Sequence, residues 1–271
     1  MIEFKNVSYT YSEGLLLNNI SFTLADGSFT ALAGENGAGK TTMCRLAAAL
    51  LRPTSGEVIS NGLVTSKEKS VKFAAFTGFL FQNPDRQICR TTAYEEILFG
   101  LNLITNDEAE VERSAREVLD EFGFAAEKEI FYMSRGERQM LALASVLARH
   151  PKFIIADEPT SGLDGRQYAL VARKLKEAQK NGTTVLMVTH DMELAEEIAD
   201  DMMILAGGGI VAHGPISQIM TDAAILEKAS LRRTEMRELA QTLGGRFEQV
   251  SNVEEMMAAI KSSADKGSTK R

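Results

Sequence analysis

The run Gly34-Glu35-Asn36-Gly37-Ala38-Gly39-Lys40-Thr41 satisfies the spacing G-x-x-x-x-G-K-[ST] without a mismatch, and each fixed position has a chemical reason. Gly34, Gly37 and Gly39 carry no Cβ, so the loop can adopt positive φ and bring N–H groups against phosphate oxygens. Lys40 offers a point charge to β- and γ-phosphates, and the Thr41 hydroxyl is a ligand for Mg²⁺. Phe153-Ile154-Ile155-Ala156-Asp157-Glu158 is an apolar run ending in two carboxylates. Alone that pattern is common; beside a phosphate loop it gains meaning, because Mg²⁺ needs a carboxylate at a neighbouring strand end. The run Thr183–Thr189 ends at His190. A lone histidine is usually structural, but ligands of open α/β sheets collect at the carboxyl ends of parallel strands.

These groups need elements to hold them. Phe29–Ala33 reads as a strand entering the loop and Thr41–Leu50 as a helix leaving it, so the positive end of the helix faces the phosphates. Upstream, Ile2–Tyr11 and the alternation Ile20, Phe22, Leu24, closed by Asp26-Gly27, predict a small antiparallel sheet. Pro53–Gly56 stops the loop helix, a strand follows at Glu57–Ile59, and Thr77–Phe81 is a further short strand that delivers Gln82. Residues from about Thr91 to His150 read as helical, with a core stripe at Val111, Ala115, Val118, Leu119 and Phe122. Ser134 and Glu137 form a capping box, which by itself signifies only a helix start. A second box, Ser251–Glu254, precedes an apolar stripe at Val253, Met256, Met257 and Ile260, and the polar stretch from Ser262 to Arg271 reads as a disordered tail.

Composition narrows the function classes. A chain of 271 residues, 44% hydrophobic, can bury a sizeable core as one large or two small domains. A net charge of −7 argues against general nucleic-acid binding. The two cysteines, Cys44 and Cys89, are too few for a disulfide framework or a four-cysteine zinc site. Met1–Lys5 does not open a signal peptide, and no apolar run approaches the roughly 18 residues that span a bilayer. A soluble or membrane-peripheral protein is expected.

Taken together, these motifs resemble an ATP-binding-cassette ATPase over roughly Ile2 to Gly214. Gly34–Thr41 resembles the Walker A loop, Gln82 the Q-loop glutamine, Met133–Glu137 the signature, Phe153–Glu158 the Walker B strand, Ser161–Asp164 the D-loop and His190 the switch histidine. The resemblance implies an α/β fold: a P-loop core with a mostly parallel sheet, an N-terminal antiparallel β subdomain and an inserted helical subdomain at about residues 91–150. A small C-terminal helical region at 215–261, a candidate dimer contact, would follow. It implies nucleotide contacts from Gly34, Asn36, Gly37, Ala38, Gly39, Lys40, Thr41 and Thr42, with Tyr11 under the adenine ring. On its own residues, Tyr11 reads equally well as a surface tyrosine of a hairpin. Mg²⁺ would be held by Thr41 and Gln82, and by Asp157 through water. Glu158 would serve as base, with His190 bridging it to the γ-phosphate. Ser134 and Gly136 would reach the ATP held by a second ATPase, with Asp164 in the D-loop. Arg135 departs from the family's usual glycine and bears on that composite site.

A narrower resemblance rests on Phe81–Gln87, with its second glutamine, and on Glu95–Gly100, which are similar to the ATPases of energy-coupling factor transporters. This implies an ATPase at the cytoplasmic face of the membrane, peripheral to it. Its partners would be a transmembrane scaffold and a separate substrate-binding membrane protein, serving uptake of a vitamin or transition-metal ion. The competing readings are the ATPase of another importer class, or a soluble regulator or translation factor, which more commonly carries two cassettes. In the resembling transporters a groove beside the Q-loop receives membrane-subunit helices. Asp85, Glu95 and Glu96 are expected to form an acidic rim there, around an apolar strip of Ile97, Leu98 and Phe99.

Overall fold

The computed structural model describes residues 1–11, 14–247, 250 and 252–268. Strands β1 (Ile2–Tyr11) and β2 (Gly14–Leu24) pair antiparallel, with Phe4 opposite Phe22 and their rings stacked at 4.5 Å. Ile20, Phe22 and Leu24 are all buried, as a period of two on a one-sided sheet requires. Strand β3 (Phe29–Gly34) belongs to a second sheet, between parallel neighbours, and is buried at all six positions because both its faces are covered: Phe29, Ala31 and Ala33 pack into one core cluster and Leu32 into another. After helix α1 (Lys40–Ala47), strands β4 (Ser55–Ser60) and β5 (Leu63–Val64) complete the first sheet in the order β2-β1-β4-β5. A short helix, α2 (Ser70–Ala74), leads to β6 (Thr77–Leu80) in the second sheet.

Three helices follow: α3 (Ala93–Leu101), α4 (Glu108–Phe122) and α5 (Arg135–Leu147). They enclose a core of their own, with Ile97, Val111, Ala115, Leu119 and Leu141 at its centre. Each begins at a side-chain cap (Thr92, Asp107, Ser134), and Thr92–Glu95 and Ser134–Glu137 are reciprocal capping boxes. Such caps contribute about 1 kcal/mol each. Gly123, at φ 73°, closes α4 in the left-handed conformation.

The chain then alternates through β7 (Phe153–Asp157), α6 (Gly165–Lys180), β8 (Thr184–Val188), α7 (Met192–Ile198), β9 (Asp201–Ala206) and β10 (Gly209–Pro215). The second sheet has the order β10-β9-β3-β8-β7-β6; every pairing is parallel except the β9–β10 hairpin. That hairpin was not foreseen. Met202–Leu205 is a four-residue buried run, too short for periodicity to separate strand from helix.

The chain continues through α8 (Ile216–Ile219), α9 (Ala223–Lys228), α10 (Glu235–Leu243) and α11 (Val253–Ser268). Ala240, Val250 and Met256 form a small cluster between the last two helices. Of the stripe read from the sequence, only Met256 is buried, while Val253, Met257 and Ile260 are exposed. Ser251 of the expected capping box lies outside the described residues. Helix α11 runs to Ser268, through residues expected to belong to a disordered tail, and 269–271 lie outside the description.

Candidate active site

Strand β3 ends at Gly34 with φ 142°, where a Cβ would sit 2.0 Å from the Leu205 carbonyl oxygen on β9. Only glycine lets the chain leave the sheet there. Gly39, at φ 103°, is the N-cap of α1, and a Cβ on it would meet Leu17 Cδ2 at 2.6 Å. Gly37 has open space around it, so its φ of 82° is the reason for glycine. Helices α3–α7, α9 and α10 all start at a side chain that accepts from the first turn, whereas α1 has no such cap. Its first-turn N–H groups are therefore free of side-chain acceptors at the positive end of the helix, which suits an anion.

The Lys40 ammonium, almost fully buried, donates to the carbonyl oxygens of Gly34 at 2.6 Å and Glu35 at 2.9 Å. Burial holds its pKa below the ordinary lysine value, opposed by the charges of Glu158 and Asp157. Across the loop, Thr41 Oγ1 lies 3.4 Å from Asp157 Oδ2. Asp157 ends β7, level with Val188 of β8, and burial raises its pKa. The next residue, Glu158, has φ 50° and donates its N–H to the Val188 carbonyl at 2.9 Å. A positive φ at a glutamate costs on the order of 1 kcal/mol or more, and it turns the chain at the cleft. Glu158 Oε1 is shut from solvent without a hydrogen-bond partner, and His190 Nε2 approaches it at 3.4 Å. Burial, then the charge of Asp157, pushes the Glu158 carboxyl up to about 7.

A cleft of about 690 Å³ joins these groups; Tyr11, Asn36, Gly37, Gly39, Lys40, Thr41, Thr42, Gln82, Asp157, Glu158 and His190 all line it. Such a volume is ordinary for a small-ligand site. Gly34 and Ala38 shape the loop from beneath without lining it. Ser161, first residue of the run compared with the D-loop, also lines the cleft and donates its N–H to the Glu158 carbonyl at 3.2 Å. Leu16 from β2 and Val188 from β8 line it as well, and neither has a residue type or spacing that marks a site. The oxygens of Thr41, Asp157 and Gln82 are hard donors suited to Mg²⁺. Among the described residues no three His, Cys, Asp or Glu side chains gather as a metal site, so a bound ion would take further ligands from nucleotide and water.

Gln82 is positioned through its neighbour. The Phe81 N–H donates to Gln87 Oε1 at 3.2 Å, the Phe81 carbonyl accepts from Gln139 Nε2 at 3.4 Å, and Gln87 Nε2 donates to the Ala142 carbonyl at 3.0 Å. Both polar backbone groups before Gln82 are thus tied to α5. Ser134, Gly136 and Asp164 do not line the cleft. Ser134 and Arg135 are exposed at the start of α5, but Gly136 is buried: a Cβ there would meet Gln167 Oε1 at 2.3 Å. Asp164 caps α6, accepting from the N–H groups of Arg166 and Gln167 at 2.9 Å. The Arg135 guanidinium lies over Gly162 of its own chain, with Cζ 3.9 Å from a Cβ built there.

The acidic rim is corrected at Glu96 and the apolar strip at Ile97, while Asp85, Glu95 and Phe99 are exposed. Glu96 is buried and accepts from the N–H groups of Cys89 and Arg90 at 3.0 and 3.1 Å, and Ile97 is a core residue. Glu95 is the reciprocal partner of the Thr92 cap, and Asp85 pairs with Arg138 at 2.8 Å. The open groove there, about 240 Å³, is lined by Leu50, Phe79, Phe81, Phe99 and Leu103, with the buried Glu96 among its further lining residues. The period of the helix, not its charge pattern, decides which of these side chains face out.

A glycine cradle at a strand–helix turn of a parallel sheet, with carboxylates at the next strand end, places the protein among the P-loop nucleotide-binding proteins. Comparison narrows the class: the chain belongs to the ABC transporter family, whose model matches residues 17–161. A Pyrococcus horikoshii protein carrying the provisional name of an ABC transporter ATP-binding protein is 34% identical over 96% of this chain and 99% of its own length. The energy-coupling factor transporter ATP-binding protein EcfA of Methanosphaera stadtmanae is 34% identical over 86% of this chain and 85% of its own. Of a 37% identical Caldanaerobacter subterraneus relative, the chain spans 46% of the length. Among solved structures, cbiO1 of Clostridium perfringens, part of the ABC transporter complex cbiONQ, superposes with a TM-score of 0.75 at 27% identity, over 89% of this chain and 98% of that one. The dimeric cassette MJ0796 bound to ADP and Pi gives 0.73 at 28% identity, over 80% and 99%. Among the described residues no helix is long and apolar enough to cross a membrane.

Proposed function

We propose that the chain binds and hydrolyses ATP as the energy-supplying subunit of an importer of the energy-coupling factor type. It would sit on the cytoplasmic face of the membrane with a second ATPase, a transmembrane scaffold and a separate substrate-binding membrane protein. The substrate class is a vitamin or transition-metal ion. The observation that carries the hydrolytic part is the partly buried Glu158 carboxyl, its Oε1 shut from solvent without a hydrogen bond and its pKa raised to about 7, facing His190 beside the phosphate loop. A carboxylate poised near neutral pH is matched to accept a proton from water. Gly34–Thr42 would cradle the phosphates, and Lys40 would trade its loop carbonyls for phosphate oxygens. Thr41 and Gln82, with Asp157 acting through water, would hold Mg²⁺, which when bound supplies neutralisation of phosphate charge. His190 would orient the γ-phosphate side of the cleft, and Tyr11, half-exposed at its edge, would stack on the base. Ser134 and Arg135 are the signature groups open to a second ATPase.

The importer type is supported by the names of similar proteins: EcfA of M. stadtmanae, the HMP/thiamine import protein YkoD of Bacillus subtilis, provisionally named and 35% identical over 85% of this chain, and cbiO1. The groove lined by Phe79, Phe99 and Leu103 supplies an apolar seat for a scaffold helix. Coexpression of a tagged form with a candidate polytopic scaffold and a substrate-binding membrane protein tests the reading. Copurification together with ATP turnover is the expected result; turnover without a membrane partner would favour the soluble alternative.

A further inference from the structure

The segment from Ser230 into the first turn of α10 touches both the phosphate loop and α7, the helix that follows His190. On one side Ser230, in the left-handed conformation at φ 54°, donates from Oγ to Glu35 Oε1 at 2.8 Å. Glu35 belongs to the phosphate loop, and its carbonyl is one of the two that hold Lys40. On the other side, Thr234 Oγ1 donates to Glu196 Oε2 at 2.9 Å, Arg237 Nε donates to Glu196 Oε1, and the Glu235 N–H reaches Glu193 Oε1 at 3.2 Å. Glu193 and Glu196 lie on α7, whose cap, Asp191, follows His190 directly. Arg237 and Glu196 are each only 7% exposed, and Thr234 is buried. From its far side α7 receives the Tyr168 hydroxyl of α6, hydrogen-bonded to Asp191.

A buried ion pair adds little net stability over an apolar pair of the same volume, because desolvation offsets the attraction; what it specifies well is register. Here the register fixed is that of α7 against the C-terminal region. We propose that residues Ser230–Arg237 form a clamp that sets the separation of the phosphate loop from His190, with Thr234 and Arg237 as positioning residues acting through Glu196. The clamp is built by a part of the chain beyond the 17–161 match, so the C-terminal region tunes the site it does not line. The inference rests on the ATP-hydrolase reading above.

The test uses the full chain in its assembled complex. Thr234→Val removes the hydroxyl at nearly constant volume, and Thr234→Ser keeps it. Glu196→Gln keeps the shape but leaves Arg237 uncompensated. Thr234→Val and Glu196→Gln are expected to lower kcat at least tenfold, about 1.4 kcal/mol of barrier, with Kd for ATP within twofold. Thr234→Ser should keep parental kcat, and Ser230→Ala should shift Kd for ATP at least threefold. In the isolated full chain, the His190 imidazole NMR resonances should broaden or move in Thr234→Val and not in Thr234→Ser. Parental kcat and unmoved His190 resonances in Thr234→Val and Glu196→Gln, with only the melting temperature lowered, would overturn the clamp. A parent complex that binds ATP without turnover would overturn the hydrolase reading instead, and the His190 resonances would then decide the clamp by themselves.

Discussion

Glu158 Oε1 and His190 Nε2 face each other at 3.4 Å, each biased towards its neutral form. Burial and then Asp157 raise the glutamate to about 7, while burial and then Lys40 lower the histidine. If Glu158 takes the proton of the attacking water, Glu158→Gln in the assembled complex should lower kcat by at least about 100-fold, with ATP affinity preserved. The parent's kcat should rise with pH through an acid limb near 7. Equal turnover in mutant and parent would remove Glu158 from the role of base.

The same carboxyl makes a stability prediction of definite sign. Its folded pKa lies above the ordinary glutamate value of 4.5, so the folded chain prefers the protonated form. Stability is fully present below the ordinary value, falls as pH climbs from there to about 7, and is level above. Glu158→Gln should therefore stabilise the nucleotide-free chain at pH 8 by about 1–3 kcal/mol, at about 1.4 kcal/mol per pKa unit. The gain should shrink towards pH 5, as read by denaturant unfolding at both values.

Glu96 and Leu103 separate fold from docking. Glu96→Lys buries an unpaired cation and leaves the Cys89 and Arg90 N–H groups without an acceptor, for an expected loss of about 3–5 kcal/mol. Leu103→Lys, at an exposed groove position, should cost less than about 0.5 kcal/mol of stability. It should nonetheless reduce copurification with the membrane scaffold. Unchanged yield for Leu103→Lys would place the docking surface elsewhere.

Arg135→Gly should alter hydrolysis in the dimer while changing nucleotide affinity of the isolated chain less than twofold, because Arg135 does not line its own cleft. Glycine in the first turn of α5 should cost no more than about 1 kcal/mol of stability. A large loss of nucleotide binding by the isolated chain would instead give Arg135 a role in holding Gly162 and the segment after Glu158.

The sequence by itself determined the chemistry carried on contiguous strand–turn–helix units. Gly34–Thr41, Asp157-Glu158 and His190 each follow an apolar strand of parallel type, and a parallel sheet brings the carboxyl ends of its strands to one edge. The capping boxes at Ser134 and, unread, at Thr92 were equally local, since a cap is settled within four residues. Tertiary structure alone decided what depends on contacts distant in sequence. Glu96 looks like a surface acid, yet the loop at Cys89-Arg90 folds over it and takes its oxygens. Gly136 looks open to a partner until Gln167, 31 positions later in the chain, closes over it. Ser230 and Glu35 stand 195 residues apart and meet at 2.8 Å. A hydrogen bond is directional and short, so whether two polar groups meet depends on where the whole chain delivers them; periodicity reports only which face a residue takes.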